Sequence, residues 1–226
     1  MQNFNIVKKN NIDNISFRIS KIQADFDISL DKCNEVFKGQ IETPDNWKIG
    51  VIVGGSGTGK STIAKELFGN NYIKEFEYKA QAVVDDMPKE CTVDDITKMF
   101  YTVGFGSVPS WLKPYSVLSN GEKMRVDLAR ALLEKDFVVF DEFTSVVDRQ
   151  VAQTACIAIH KAIEKSEKKF VAVSCHYDIL EWLKPDWVFD TNKMQSFFGQ
   201  THNLKRNLQS DHVDMGSGRN LASIII

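Results

Sequence analysis

The chain has 226 residues, 43% hydrophobic and 26% charged, which suits one large globular domain or a core with a small subdomain. A formal net charge of −2 excludes a global basic field for nucleic acid or anionic membrane, and no apolar stretch approaches the ~20 residues of a spanning helix. Cys33, Cys91, Cys156 and Cys175 show no metal spacing and read as reduced, mostly buried thiols, and "MQNFNIVKKNNIDN" lacks a signal-peptide apolar region, so a cytoplasmic protein is expected.

Residues 15–30 alternate apolar and polar in part, which predicts one or two strands. "KIGVIVGG" (48–55) is a β-branched run closed by glycines and predicts a buried strand; "STIAKELFG" (61–69) has helical spacing and stops at Gly69, a candidate C-cap. Residues 72–117 are less regular, with a helix near 93–103 and a Gly/Ser/Pro-rich stretch at 104–114. An amphipathic helix (122–134), a strand (136–142), a helix (148–165), a strand (169–176), a short helix (177–184) and a strand (187–190) follow. This alternation predicts an α/β fold, a largely parallel sheet flanked by helices. One domain is expected over 1–204, and the family resemblance given below implies for it an N-terminal antiparallel β part and a small helical subdomain at about 86–134. A loosely ordered polar tail is expected over 205–226.

Gly54-x-x-x-x-Gly59-Lys60-Ser61 is a full phosphate-loop pattern, set after a strand and opening a helix. Glycines let the backbone curl so that successive N–H groups face phosphate oxygens. The cradle comprises Gly54, Gly55, Ser56, Gly57, Thr58, Gly59, Lys60, Ser61 and Thr62. Lys60 brings positive charge to the β- and γ-phosphates, and Ser61 offers a hydroxyl to Mg²⁺. "FVVFDE" ends in Asp141, placed to hold Mg²⁺, and Glu142, placed to act as general base toward an attacking water. His176 closes the next strand and so falls on the same carboxyl edge of a parallel sheet, where ligands bind. His160, His202 and His212 have no such context. A second small polar turn, Ser119-Asn120-Gly121, opens the helix of "LSNGEKMRVDLARALL" and also suits an anion.

Taken in order, these segments resemble the ABC-type ATPases over residues 48–190. "GGSGTGKS" resembles Walker A, "LSNGEKMRVDLARAL" the signature helix, "FVVFDE" Walker B with its glutamate, "SVVD" (145–148) the D-loop and "SCH" the switch histidine. The resemblance implies a P-loop NTPase that hydrolyses ATP with Mg²⁺ in an ATP-dependent, head-to-tail homodimer. Ser119, Asn120, Gly121 and Glu122 of one copy, with Asp148 of the D-loop, would then meet the ATP held by the other. Asp85, after "AVVD", is a further candidate for Mg²⁺, Gln81 for the glutamine loop and Phe26 for adenine stacking. Asn120 replaces a glycine, Glu122 a glutamine and Phe143 the proline usual in transporters. Glu122 and the short helical segment favour DNA-related work on a macromolecular partner, DNA or protein, with direct membrane insertion not expected. The alternative is the ATPase subunit of a membrane transporter, and a third reading is a regulatory or assembly ATPase.

Overall fold

The structure is a computed structural model and describes residues 1–9, 12, 14–29, 34–73 and 75–198. Cys33, His202, His212 and the tail expected over 205–226 lie outside the described residues.

Seven strands and seven α-helices are described. Strands β1 (Gln2–Lys8) and β2 (Glu35–Ile41) pair antiparallel, with helix α1 (Phe17–Phe26) between them in sequence. Then come β3 (Ile49–Val53), α2 (Lys60–Phe68), α3 (Val93–Thr102), α4 (Val108–Trp111), α5 (Asn120–Glu134) and β4 (Phe137–Phe140). The chain continues through α6 (Arg149–Glu164), β5 (Lys169–Ser174), α7 (Ile179–Leu183), β6 (Trp187–Asp190) and β7 (Gln195–Phe198).

The main sheet has the order β4-β5-β3-β6-β7, parallel except for the antiparallel β6–β7 pair. Because the central strands are covered on both faces, every residue of β3 is buried, and the sequence there is apolar without alternation. The pleat still sorts side chains by parity. Ile49, Val51, Phe170, Ala172 and Val188 face the core under α5 and α6, while Ile52, Val171, Val173, Trp187 and Phe189 face the core under α2 and the β1–β2 pair. Gly50 makes room for the second core: a Cβ there would lie 2.1 Å from the Trp187 indole. Filling that space with a methyl would displace a fully buried tryptophan, an overpacking cost of about 1–3 kcal/mol or more.

The helical subdomain stands on α3, α4 and α5. A capping box at Thr92 starts α3, and Phe100, Phe105 and Trp111 pack at its centre, with Trp111 Nε1 donating to the Phe105 carbonyl at 2.8 Å.

Several expectations are corrected. Residues 17–26 form a helix rather than strands: Ser16 accepts from Ile19 N as N-cap, and Ile19, Ile22 and Phe26 recur at helical spacing, although none of the helix is buried. The antiparallel pair is made by residues 2–8 and 35–41 instead. Gly69 is the C-cap residue of α2 but keeps a right-handed conformation (φ −47°), so no left-handed cap forms. Residues 83–86 are a 3-10 turn, so Asp85 ends no strand. Of the described cysteines, all free, only Cys156 is buried.

Candidate nucleotide-binding site

The site is assembled at the carboxyl edge of β3, β5 and β4. After Val53 the chain curls through Gly54, Gly57 and Gly59, with φ of 154°, 78° and 85°. Two of these glycines are also forced by crowding. A Cβ on Gly54 would sit 2.0 Å from Thr191 Oγ1, and one on Gly59 would sit 2.4 Å from the Phe37 ring. Gly59 is the N-cap of α2 and provides no side-chain cap. The first amides of α2 are therefore not consumed by a capping side chain, as an anion cradle requires. Lys60 is 9% exposed, and its Nζ donates to the Gly55 carbonyl at 2.7 Å. Ser61 and Thr62 are half-buried in the first turn of α2, whereas Ser56 and Gly57 are exposed.

The loop is braced from β6. Thr191 Oγ1 donates to the Val53 carbonyl at 3.1 Å and lies 2.5 Å from Thr58 Oγ1, which itself reaches the Gly55 carbonyl at 2.9 Å. Asn192 Oδ1 accepts from Gly55 N at 3.3 Å, and its Nδ2 donates to Tyr177 Oη at 2.9 Å. Tyr177 in turn donates to Asp190 at 3.0 Å. Since Tyr177 follows His176, this relay joins the switch segment to the phosphate loop. His176 is half-buried at the end of β5, its N–H donating to Ser174 Oγ at 3.1 Å. Strand β5 lies between β3 and β4, which places His176 between the loop and the acids along the edge.

Asp141 leaves β4 with both carboxylate oxygens engaged. Oδ1 accepts from Glu142 N at 2.9 Å, and Oδ2 accepts from the Tyr72 hydroxyl. Burial first, and then the hydrogen bond and charge of Asp141, push the Tyr72 phenol far above its ordinary value, so it remains a donor. The Asp141 carboxylate and the hydroxyl of Ser61, which acts on the same phenol in the opposite sense, are groups of the hard-oxygen type that fits Mg²⁺. Glu142 is exposed with φ 50°, and Thr144 has φ 68°. Two non-glycine residues in the left-handed region mark a turn held by its surroundings. Phe143 supplies the hold: it is fully buried between Phe140 and Phe170, and its N–H donates to the Val173 carbonyl at 2.9 Å. The aromatic in the place of the expected proline anchors the turn and leaves Glu142 outside.

Four other expected residues lie elsewhere or are engaged within their own chain. Asp85 is exposed on the 3-10 turn, and among the described contacts none brings it to Ser61 or Asp141. Gln81 is exposed, and Phe26, 69% exposed on α1, packs on no described core. Asp148 caps α6, accepting from Gln150 N at 3.0 Å and Val151 N at 2.9 Å, so its carboxylate is used within its own chain.

The second turn is built differently. Ser119 N-caps α5 in a full capping box with Glu122: Ser119 N and Oγ donate to Glu122 Oε2 at 2.9 and 2.8 Å, and Glu122 N donates to Ser119 Oγ at 3.3 Å. A hydrogen bond from Ser110 is the main reason the Glu122 carboxyl lies below its ordinary range, followed by the Ser119 amide. Gly121 abuts α6, where an added Cβ would be 3.2 Å from Val151. A groove of about 1240 Å³, lined by Tyr72, Phe76, Tyr115, Asn120, Asp141 and Glu142 among others, runs from the acids to this turn.

Sequence reading missed Tyr72, Tyr177, Thr191 and Asn192. The last two follow the strand "WVFD" directly, so the rule that ligands gather at strand ends could have flagged them. Tyr72 carries no local signal.

A glycine cradle on a helix start, a buried lysine and an acid pair closing a second strand of the same sheet define a P-loop nucleotide-binding protein. No protein-family model matches the chain. It is 30% identical over 183 residues to the energy-coupling factor transporter ATP-binding protein EcfA1 of Staphylococcus aureus (strain USA300), covering 63% of this chain and 66% of that one. The strain N315 protein is 31% identical over 182 residues with the same coverage, so the chain spans just under two thirds of the length of these relatives. In fold it is similar to MJ0796, a dimeric bacterial ABC transporter cassette (TM-score 0.53, 14% identity, 69% of this chain and 87% of that one). It is also similar to a bacterial Atm1-family ABC exporter with ATP bound (TM-score 0.57, 16% identity, 76% of this chain and 37% of that one). These likenesses in sequence and fold support an ABC-type nucleotide-binding domain. The expectation of DNA-related work finds no support among these relatives, which are named as transporter subunits and cassettes.

Proposed function

We propose that this chain binds and hydrolyses ATP as the ATPase subunit of a membrane ABC transporter, working as an ATP-dependent head-to-tail homodimer. The observation that carries the chemistry is the convergence of Lys60, Ser61, Asp141, Glu142 and His176 on one sheet edge. Lys60 leaves its Gly55 carbonyl to meet the β- and γ-phosphates, while the loop amides orient the chain of phosphates. Ser61 and Asp141 would hold Mg²⁺, which would supply charge neutralisation at those oxygens. Glu142, turned outward, takes a proton from the attacking water, and His176 positions that water or the γ-phosphate. Asn120 and Gly121 meet ATP bound to a second copy, where their amides and the helix dipole favour an anion.

Support for the transporter role comes from the names of the relatives. No helix among the described residues is long and apolar enough to cross a membrane. The test uses Glu142→Gln, expected to retain ATP binding. Size-exclusion chromatography with ATP and Mg²⁺ should shift it to a dimer, and the trapped protein should co-purify with an integral membrane protein. Recovery with DNA and no membrane protein would reject the transporter role, and a monomer at saturating ATP would reject the shared site.

A further inference from the structure

We propose that Tyr72 is a positioning residue of the Mg²⁺ site, fixing the Asp141 carboxylate beside Ser61 so that it accepts from the metal's water. The proposal rests on the nucleotide-site reading above. Nothing in the phosphate-loop or acid-strand patterns includes this tyrosine; it is carried by geometry alone.

The Tyr72 backbone is locked on both sides. Its N–H donates to the Phe68 carbonyl at 3.0 Å at the end of α2, and it forms an isolated parallel bridge with Val139 of β4. Around it, Val139 N donates to the Asn71 carbonyl at 2.8 Å and Ile73 N to the Val139 carbonyl at 2.9 Å. The Lys65 ammonium lies 5.0 Å from the ring centroid. From this fixed backbone position the hydroxyl donates to Asp141 Oδ2, with Ser61 near the phenol. The other oxygen of Asp141 is held by the Glu142 amide. The carboxylate is therefore pinned at both oxygens, yet each keeps a free lone pair for a metal-bound water. Groups that orient a metal ligand in this way commonly change metal affinity about 10–100-fold when removed. Without the phenol, Asp141 would keep one backbone contact and could rotate about its side-chain bonds. The loop lysine and the glycine cradle would be untouched.

The test is binding of methylanthraniloyl-ATP, in EDTA and across a Mg²⁺ titration, to wild type, Tyr72→Phe, Asp141→Asn and the double variant. Tyr72→Phe keeps the ring against Lys65 and should match wild type in EDTA. Its Mg²⁺ midpoint should rise about 10-fold. In the Asp141→Asn background, Tyr72→Phe should add little further loss, because the group it orients is already gone. An unchanged or lower Mg²⁺ midpoint in Tyr72→Phe overturns the proposal. So does equal weakening in EDTA, which would assign the tyrosine to packing, or fully additive losses in the double variant. Absence of Mg²⁺-dependent binding in wild type would instead overturn the nucleotide-site reading itself.

Discussion

The chain has two helix starts suited to phosphate, and they solve the problem of unpaired N–H groups in opposite ways. At α2 the N-cap is Gly59, with positive φ and no capping side chain, and the loop is braced from outside by Thr191 and Asn192. At α5 the N-cap is Ser119, and Ser119 and Glu122 satisfy each other's amides within the turn. The first start is left open for a ligand at the cost of glycine entropy and an external scaffold. The second is closed and self-sufficient, with Asn120 and Gly121 left to offer amides. Such a pairing suits a nucleotide that stays with the first turn and meets the second only when another copy arrives.

Lys60→Ala breaks the open side most severely. The residue is nine-tenths buried and its ammonium is bonded to the loop, so ATP hydrolysis should fall to background and ATP affinity should drop in an equilibrium binding assay. Glu142→Gln separates chemistry from binding: turnover should fall roughly 10²–10⁴-fold while ATP affinity stays near wild type. Mixing Lys60→Ala with Ser119→Arg tests whether the turns cooperate across chains. If the proposed head-to-tail dimer is right, each homodimer should be inactive, whereas the mixed dimer would hold one intact loop facing one intact second turn and should recover partial phosphate release. Full activity of Ser119→Arg alone would return that turn to a plain helix cap.

A smaller effect isolates the closed turn. Glu122→Ala removes half of the capping box and should lower stability by roughly 0.5–1 kcal/mol in denaturant unfolding, with ATP affinity in the monomer unchanged. The smallest effect is its pH dependence. The folded Glu122 carboxyl is held below its ordinary value of 4.5, so its contribution is present above that value and lost as pH falls through the lower folded value. Thermal melts of wild type and Glu122→Gln should therefore converge as the buffer is taken below the ordinary carboxylate range.

Much of the site was legible because its signals are local. Glycines at fixed offsets, a lysine and a hydroxyl at a helix start, and two acids closing an apolar strand each encode their own geometry over a few residues. The alternation of strands and helices from residue 48 onward set the sheet, and the carboxyl-edge rule then placed His176 with Asp141 and Ser61. Local pattern failed where two periods competed. Residues 17–26 satisfy helical spacing as well as partial alternation, and only the Ser16 cap and the pairing of 2–8 with 35–41 decided between them. Phe143 reads as a departure from a motif in sequence, but in the fold it is the plug that turns Glu142 outward. Other decisions were reserved for tertiary structure altogether. Tyr72 meets Asp141 across 69 residues, Thr191 meets Thr58 across 133, and Asn192 meets Gly55 across 137. Those contacts depend on β4, β5, β3 and β6 lying side by side in that order. Hydrophobic periodicity states which face of a strand is buried, but it carries no information about which strand lies next to it, and strand order is what brings these side chains together.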